Sequence, residues 1–264
     1  MKTYITIIIL LIRFGLEAQT KTQWALWNDN ESLGYSDTSL YKKDYKEKYS
    51  HYNYSPIWTC TPNQDVHGFI GSNYQRLFIK FIEVKKDSAN PYSYTVIGKT
   101  MARNNVCRFK GTIKISNIKL YKYLGTEVTG WGAVKRGILF GDYCFYEDST
   151  QEKSGVFTGS FASAWFIDKK GRVCYDSIGA VCDMFCNNQF AGKWQEYKNQ
   201  VSETCNWGDY RIPFSKDFDW GTGEFCPNEK YINNGWESYK DLFKDEKGEE
   251  KFERMEKKYE KWWK

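Results

Sequence analysis

Three times this chain sets a glycine mid-way through a strand-forming run, with large apolar residues two positions to either side. The runs are Phe109-Lys110-Gly111-Thr112-Ile113, Phe157-Thr158-Gly159-Ser160-Phe161 and Phe190-Ala191-Gly192-Lys193-Trp194. Successive side chains of a strand point to opposite faces, so each glycine shares a face with its two apolar neighbours. Glycine weakens a strand, and it is kept where the backbone bends sharply or a bulky group lies across it. Barrel corners need such a residue, and an aromatic ring from the next strand can cover it. The repeated pattern therefore predicts a mainly β fold, an antiparallel meander closing into a barrel or a strongly curled sheet.

The flanking sequence supplies strands for that meander. Residues 77–84 form a dense run of β-formers that stops at the polar loop 85–91. Alternating stretches follow at 92–101, 106–115, 118–124, 137–146, 155–168 and 172–178. Lys169-Lys170-Gly171 reads as a tight hairpin turn. Before the strands, Tyr41, Tyr45, Tyr49 and Tyr52 recur at helical spacing. Ser36 and Asp37 could cap their start, and Pro56 lies beyond their end, which predicts one short N-terminal helix. After the strands, residues 202–234 read as irregular, clipped by a Cys205–Cys226 bridge. Residues 235–264 read as an amphipathic helix, with Trp236, Tyr239 and Phe243 on one face and Phe252, Met255, Tyr259 and Trp262 on another. Lys247-Gly248 is expected to break or kink it.

The N-terminus carries Lys2, an apolar run over residues 5–12 and then Ala18. That order is the pattern of a cleavable secretory signal, placing the cut after residue 18 and a single β-rich domain over 19–234. The run is too short to cross a bilayer, which takes about 20 apolar residues. The expected protein is thus secreted or periplasmic, with no integral membrane segment once the signal is removed. All eight cysteines follow the signal, and an even count in an exported chain predicts disulfides. Cys182 and Cys186 would be the centre of a rival metal site, but no histidine lies near them.

Past residue 18 the chain holds 36 basic and 32 acidic side chains, a balance of +4 without a basic stripe. Nucleic acid is therefore not an expected partner. With only His51 and His67, nucleophilic triads and most metal enzymes lose ground. Asp217, Asp219 and Glu224 sit beside glycines whose carbonyls could turn inward, which makes them the candidate ligands for a Ca²⁺ ion. The same acids could instead serve a carbohydrate-active enzyme as an acid–base pair. The chain carries 11 Trp, 20 Tyr and 17 Phe. Such a load can pack a core or stack on ligands, and Phe109, Phe157, Phe161, Trp165 and Trp194 are the candidates for lining a barrel mouth.

The stretches 206–213 and 217–228 resemble the tail of uncharacterised exported bacterial β-rich proteins, and the aromatic-glycine meander is similar in style to lipocalin-like barrels. In those barrels Gly-x-Trp belongs to the first strand, whereas Gly192-Lys193-Trp194 comes late here. The resemblance implies architecture and brings no activity. The expected function is non-catalytic binding of a small apolar, glycan or protein ligand. The alternatives are the carbohydrate-active enzyme and a structural or envelope-associated protein without a small ligand.

Overall fold

The computed structural model describes residues 39–264. The expected signal of residues 1–18 and the expected caps Ser36 and Asp37 lie outside the described residues. The strands are β1 (Val66–Ile70), β2 (Gln75–Lys86), β3 (Ser93–Ala102), β4 (Asn105–Leu120), β5 (Ala133–Glu147), β6 (Gly155–Asp168), β7 (Val173–Tyr175), β8 (Asn187–Glu196) and β9 (Ser202–Asp209). All pair antiparallel. Strands β1 to β6, then β8 and β9, run up and down around a closed eight-stranded barrel in which β9 returns to β1. β7 is a short flap on the far half of β6.

Closure rests on the glycines. Gly159 of β6 and Gly192 of β8 face each other across the ladder, and the Tyr143 ring of β5 lies over both. A Cβ on either would stand 2.7 Å from the Tyr143 hydroxyl and 2.7 Å from the opposite glycine's Cα. No larger residue fits that crossing.

The stretches at 106–115 and 118–124 join as one strand, β4, whose register shifts between Ile115 and Asn117 and which ends at Leu120. One reading of the strands changes. Residues 202–209 are not irregular but form β9, the strand that closes the barrel. Asn, Gly and Asp are poor strand formers, yet Cys205 and Trp207 fill the interior here. Asn206 is satisfied outside, donating to the Pro213 carbonyl at 3.0 Å and accepting from the Gly192 amide at 3.1 Å.

The barrel interior is a packed core. Phe190 stacks on Trp207 at 4.9 Å between ring centres, Tyr143 meets Trp207 at 5.0 Å, and Phe109 stacks on Phe145 at 5.0 Å. One end is plugged by the 3-10 turn Ser55–Trp58, where Tyr54 and Ile57 are fully buried. Trp58 donates its indole N–H to Ser163 at 3.0 Å. The tyrosine stripe exists, with neighbouring rings about 6 Å apart. Its helix, α1 (Lys46–Tyr49), is only four residues long, because the residues before it are tied to β4, the Tyr41 and Tyr45 amides donating to the Leu120 and Ile118 carbonyls. A second short helix, α2 (Thr126–Gly130), lies between β4 and β5.

After β9 the chain wraps the outside of β1 and β2. Phe69, Phe218, Phe225, Trp236 and Tyr239 form a second aromatic core there. The strand run of β2 explains it: Leu77, Ile79 and Phe81 point inward, so Arg76 and Phe78 stand outward and need a cover. The C-terminal helix α3 (Glu246–Glu256) completes that cover. Residues 235–244 are turns and a 3-10 segment at Glu237–Tyr239, not helix. Gly248 does not break α3; it sits in the first turn, its amide capped by the Asp245 carboxylate at 2.9 Å. A Cβ there would overlap the Asp241 carbonyl oxygen, so the missing side chain is what lets the helix start against the preceding turn.

All eight cysteines are unbonded thiols in this structure. The Cys205–Cys226 clip is not formed: Cys205 points into the lumen and Cys226 lies on the outer wrapping segment. Among the described residues no helix is long and apolar enough to cross a membrane.

Candidate functional site

The lumen brings Phe109, Phe157, Phe161 and Trp165 together, each at most 1% exposed. They pack against other rings: Phe161 stacks on Phe190 at 5.5 Å, and Trp165 meets Tyr54 at 5.3 Å. Trp194 packs at the edge of the same core, 6.5 Å from Phe157, half-buried and donating its indole N–H to Glu147 at 2.9 Å. The space left at the plugged end is about 30 Å³, bordered by Trp58, Lys80, Phe190, Trp207 and Asp209. That admits a water or two and nothing larger. Asp209 is the polar group of this space, its Oδ2 accepting from Thr61 at 2.8 Å and Asn188 at 2.7 Å. Burial pushes its carboxyl up to about 7.

The larger space lies outside the wall. A groove of about 1080 Å³ runs between α3 with Phe243 on one side and the loops carrying Asp65, Phe185, Tyr210 and Phe225 on the other. Ligand sites commonly occupy about 300–1,000 Å³, and this groove lies just above that range. His67, on the outward face of β1, helps form its floor, stacked on Phe225 at 4.5 Å and 3.5 Å from the Tyr239 hydroxyl. Burial, then the neighbouring Arg76 and Arg211 cations, push its imidazole down to about 3, so it is neutral at physiological pH.

Both arginines are already engaged. Arg76 makes a two-pronged pair with Glu256 of α3, both contacts at 2.8 Å, inside rings of Phe78, Trp236, Tyr239 and Tyr259. This pair holds the helix on the barrel. Arg211 binds Asp219 at 2.6 Å and the carbonyls of Gly221 and Gly223 at 2.8 and 3.0 Å. The carboxylate and inward carbonyls that the sequence offered to Ca²⁺ are therefore satisfied by a guanidinium. Asp217, exposed, pairs instead with Lys230, and Glu224 is exposed at the groove edge. The three acids do not converge. Among the described residues no cluster of three His, Cys, Asp or Glu side chains is placed to hold a metal.

Asp65 is left open by the fold. It lines the groove half-buried, its carboxyl raised by burial, with no hydrogen-bond partner for the carboxylate among the described residues. Phe243 is 54% exposed at the mouth, an aromatic ring with water on one side and the groove on the other. Sequence reasoning missed His67, Arg76 and Phe225 because they are scattered along the chain. The available signal was Leu77-Phe78-Ile79, three consecutive large apolar residues that a one-sided sheet cannot bury.

No protein-family model matches this chain, and no curated protein or solved structure matches it either.

Proposed function

We propose that this is a non-catalytic binding protein whose ligand lies in the outer groove, with the solid barrel as its support. The observation that carries the proposal is the contrast in space. The lumen is filled by rings to within about 30 Å³, while the groove offers about 1080 Å³ lined by Phe185, Tyr210, Phe225 and Phe243. The ligand it suits is amphipathic. Its apolar part meets those rings, and its polar part faces Asp65 and the charged residues of α3. Small sites of this kind usually combine apolar walls with a few placed polar groups. Work outside the cytoplasm belongs to the same proposal, supported by the order of Lys2, apolar run and Ala18.

Fluorescence titration with anilinonaphthalene sulfonate, an amphipathic probe, tests the groove. Phe243→Asp should weaken probe binding about fivefold or more with the melting temperature unchanged, since that ring is half in water already. Equal probe affinity in the two proteins would remove the groove from consideration. Amino-terminal sequencing of the protein recovered from its own host tests export, and an intact Met1 would refute it.

A further inference from the structure

A second surface lies at the end of the barrel where β4 passes to β5. The connection 121–132 is anchored: Leu124 and Val128, with Ala133, pack against Phe166 and Ile178. With those side chains turned inward, three large apolar residues are left facing out, Tyr123 at 83%, Trp131 at 61% and Val134 at 44% exposure. Strand pairing puts cations beside them. Ala133 is opposite Asp168 and Lys135 opposite Ile167, so the turn holding Lys169 and Lys170 adjoins this connection. Lys135, Lys169 and Lys170 are all exposed. Two acids nearby are cancelled. Asp168 is paired with Arg172 at 2.7 Å, and Asp176 is buried with Arg136. The β6–β8 connection emerges at the same end, as alternate connections of an up-and-down barrel must, and its Val181 is 95% exposed.

We infer that this end of the barrel seats on an anionic lipid bilayer. Trp and Tyr settle at the headgroup level, where an amphipathic ring is partly wetted. Lysines near an anionic surface each add roughly 1 kcal/mol, about fivefold in affinity. Single rings set among lysines on an anchored loop match that interface in both composition and charge. A protein partner would more often be met by a continuous apolar patch with few lysines at its centre.

Co-sedimentation of the full chain with vesicles of pure phosphatidylcholine, and with vesicles containing 30 mol% phosphatidylserine in phosphatidylcholine, tests the inference. Because the apolar run at residues 5–12 could itself insert, the readout is the difference between chains that share it. The wild-type protein should bind the anionic vesicles at least about tenfold more tightly than the neutral ones. A Lys135→Glu, Lys169→Glu, Lys170→Glu triple variant should lose that preference, and Tyr123→Ser with Trp131→Ser should weaken binding about tenfold. Thermal melts should show both variants folded, as these side chains are exposed. Absence of vesicle binding, equal binding to both compositions, or variants that bind like the wild type would overturn the inference.

Discussion

Replacing Asp209 by Asn should make the protein more stable, and increasingly so as pH rises. Asp209 is 4% exposed, and its Oδ2 accepts from Thr61 and Asn188, contacts that an amide oxygen can keep. Burial lifts its carboxyl from an ordinary value of 3.8 to about 7. The folded protein therefore holds this proton between about pH 4 and 7, where the unfolded chain has released it. Folded molecules bind more protons in that window, so stability falls as pH rises through it and stays low above. A shift of roughly three units corresponds to about 4 kcal/mol. Asparagine removes the penalty, less whatever attraction the ionised carboxylate gives to nearby Lys80, which discounts the gain at alkaline pH. His67 works in the opposite sense. Its imidazole falls from 6.5 to about 3, so the unfolded chain takes up the extra proton and stability rises with pH over that range. The two slopes oppose each other in the wild type, and only the difference between variant and wild type isolates Asp209. Urea unfolding at pH 4, 5, 6, 7 and 8 gives that difference. It should grow from near zero at pH 4 to between about 2 and 4 kcal/mol at pH 8. A difference that is flat across the series, or that shrinks with pH, would refute the assigned burial of this carboxyl.

Other substitutions probe the remaining joints. Gly248→Ala should gain about 1 kcal/mol from helix propensity alone, but the Cβ overlap with Asp241 predicts a net loss of about 1–3 kcal/mol. Its signature would be earlier proteolysis around α3. Glu256→Gln leaves the buried Arg76 guanidinium without its counter-charge. It should cost about 3–5 kcal/mol by denaturant unfolding, with α3 released first in hydrogen exchange. Gly192→Val drives a side chain into Gly159 and the Tyr143 hydroxyl, and a loss of more than about 2 kcal/mol is expected in thermal melts.

Local pattern determined a good deal of this protein. Period-two alternation identified most barrel strands, because side chains alternate between the lumen and the outer wall, although β1, the first half of β2 and much of β6 are buried on both faces. The glycines at 111, 159 and 192 announced closure, because only a sharply curled sheet brings a neighbouring strand or ring that close. The sequence was least informative at β1 and β9, where Gly68, Asn206, Gly208 and Asp209 are poor strand formers held in place by pairing and by what surrounds them. Pairing partners far apart in sequence leave no local trace. The same holds for function. The aromatic load showed that rings would be abundant, but whether they pack or bind depends on how many face one lumen, and here they fill it. Asp217, Asp219 and Glu224 looked alike along the chain. Tertiary structure separated them by bringing Arg211 to one, Lys230 to another and, among the described residues, nothing to the third. Charges act through space, so their partners, and the groove between α3 and the barrel wall, were decided by the fold alone.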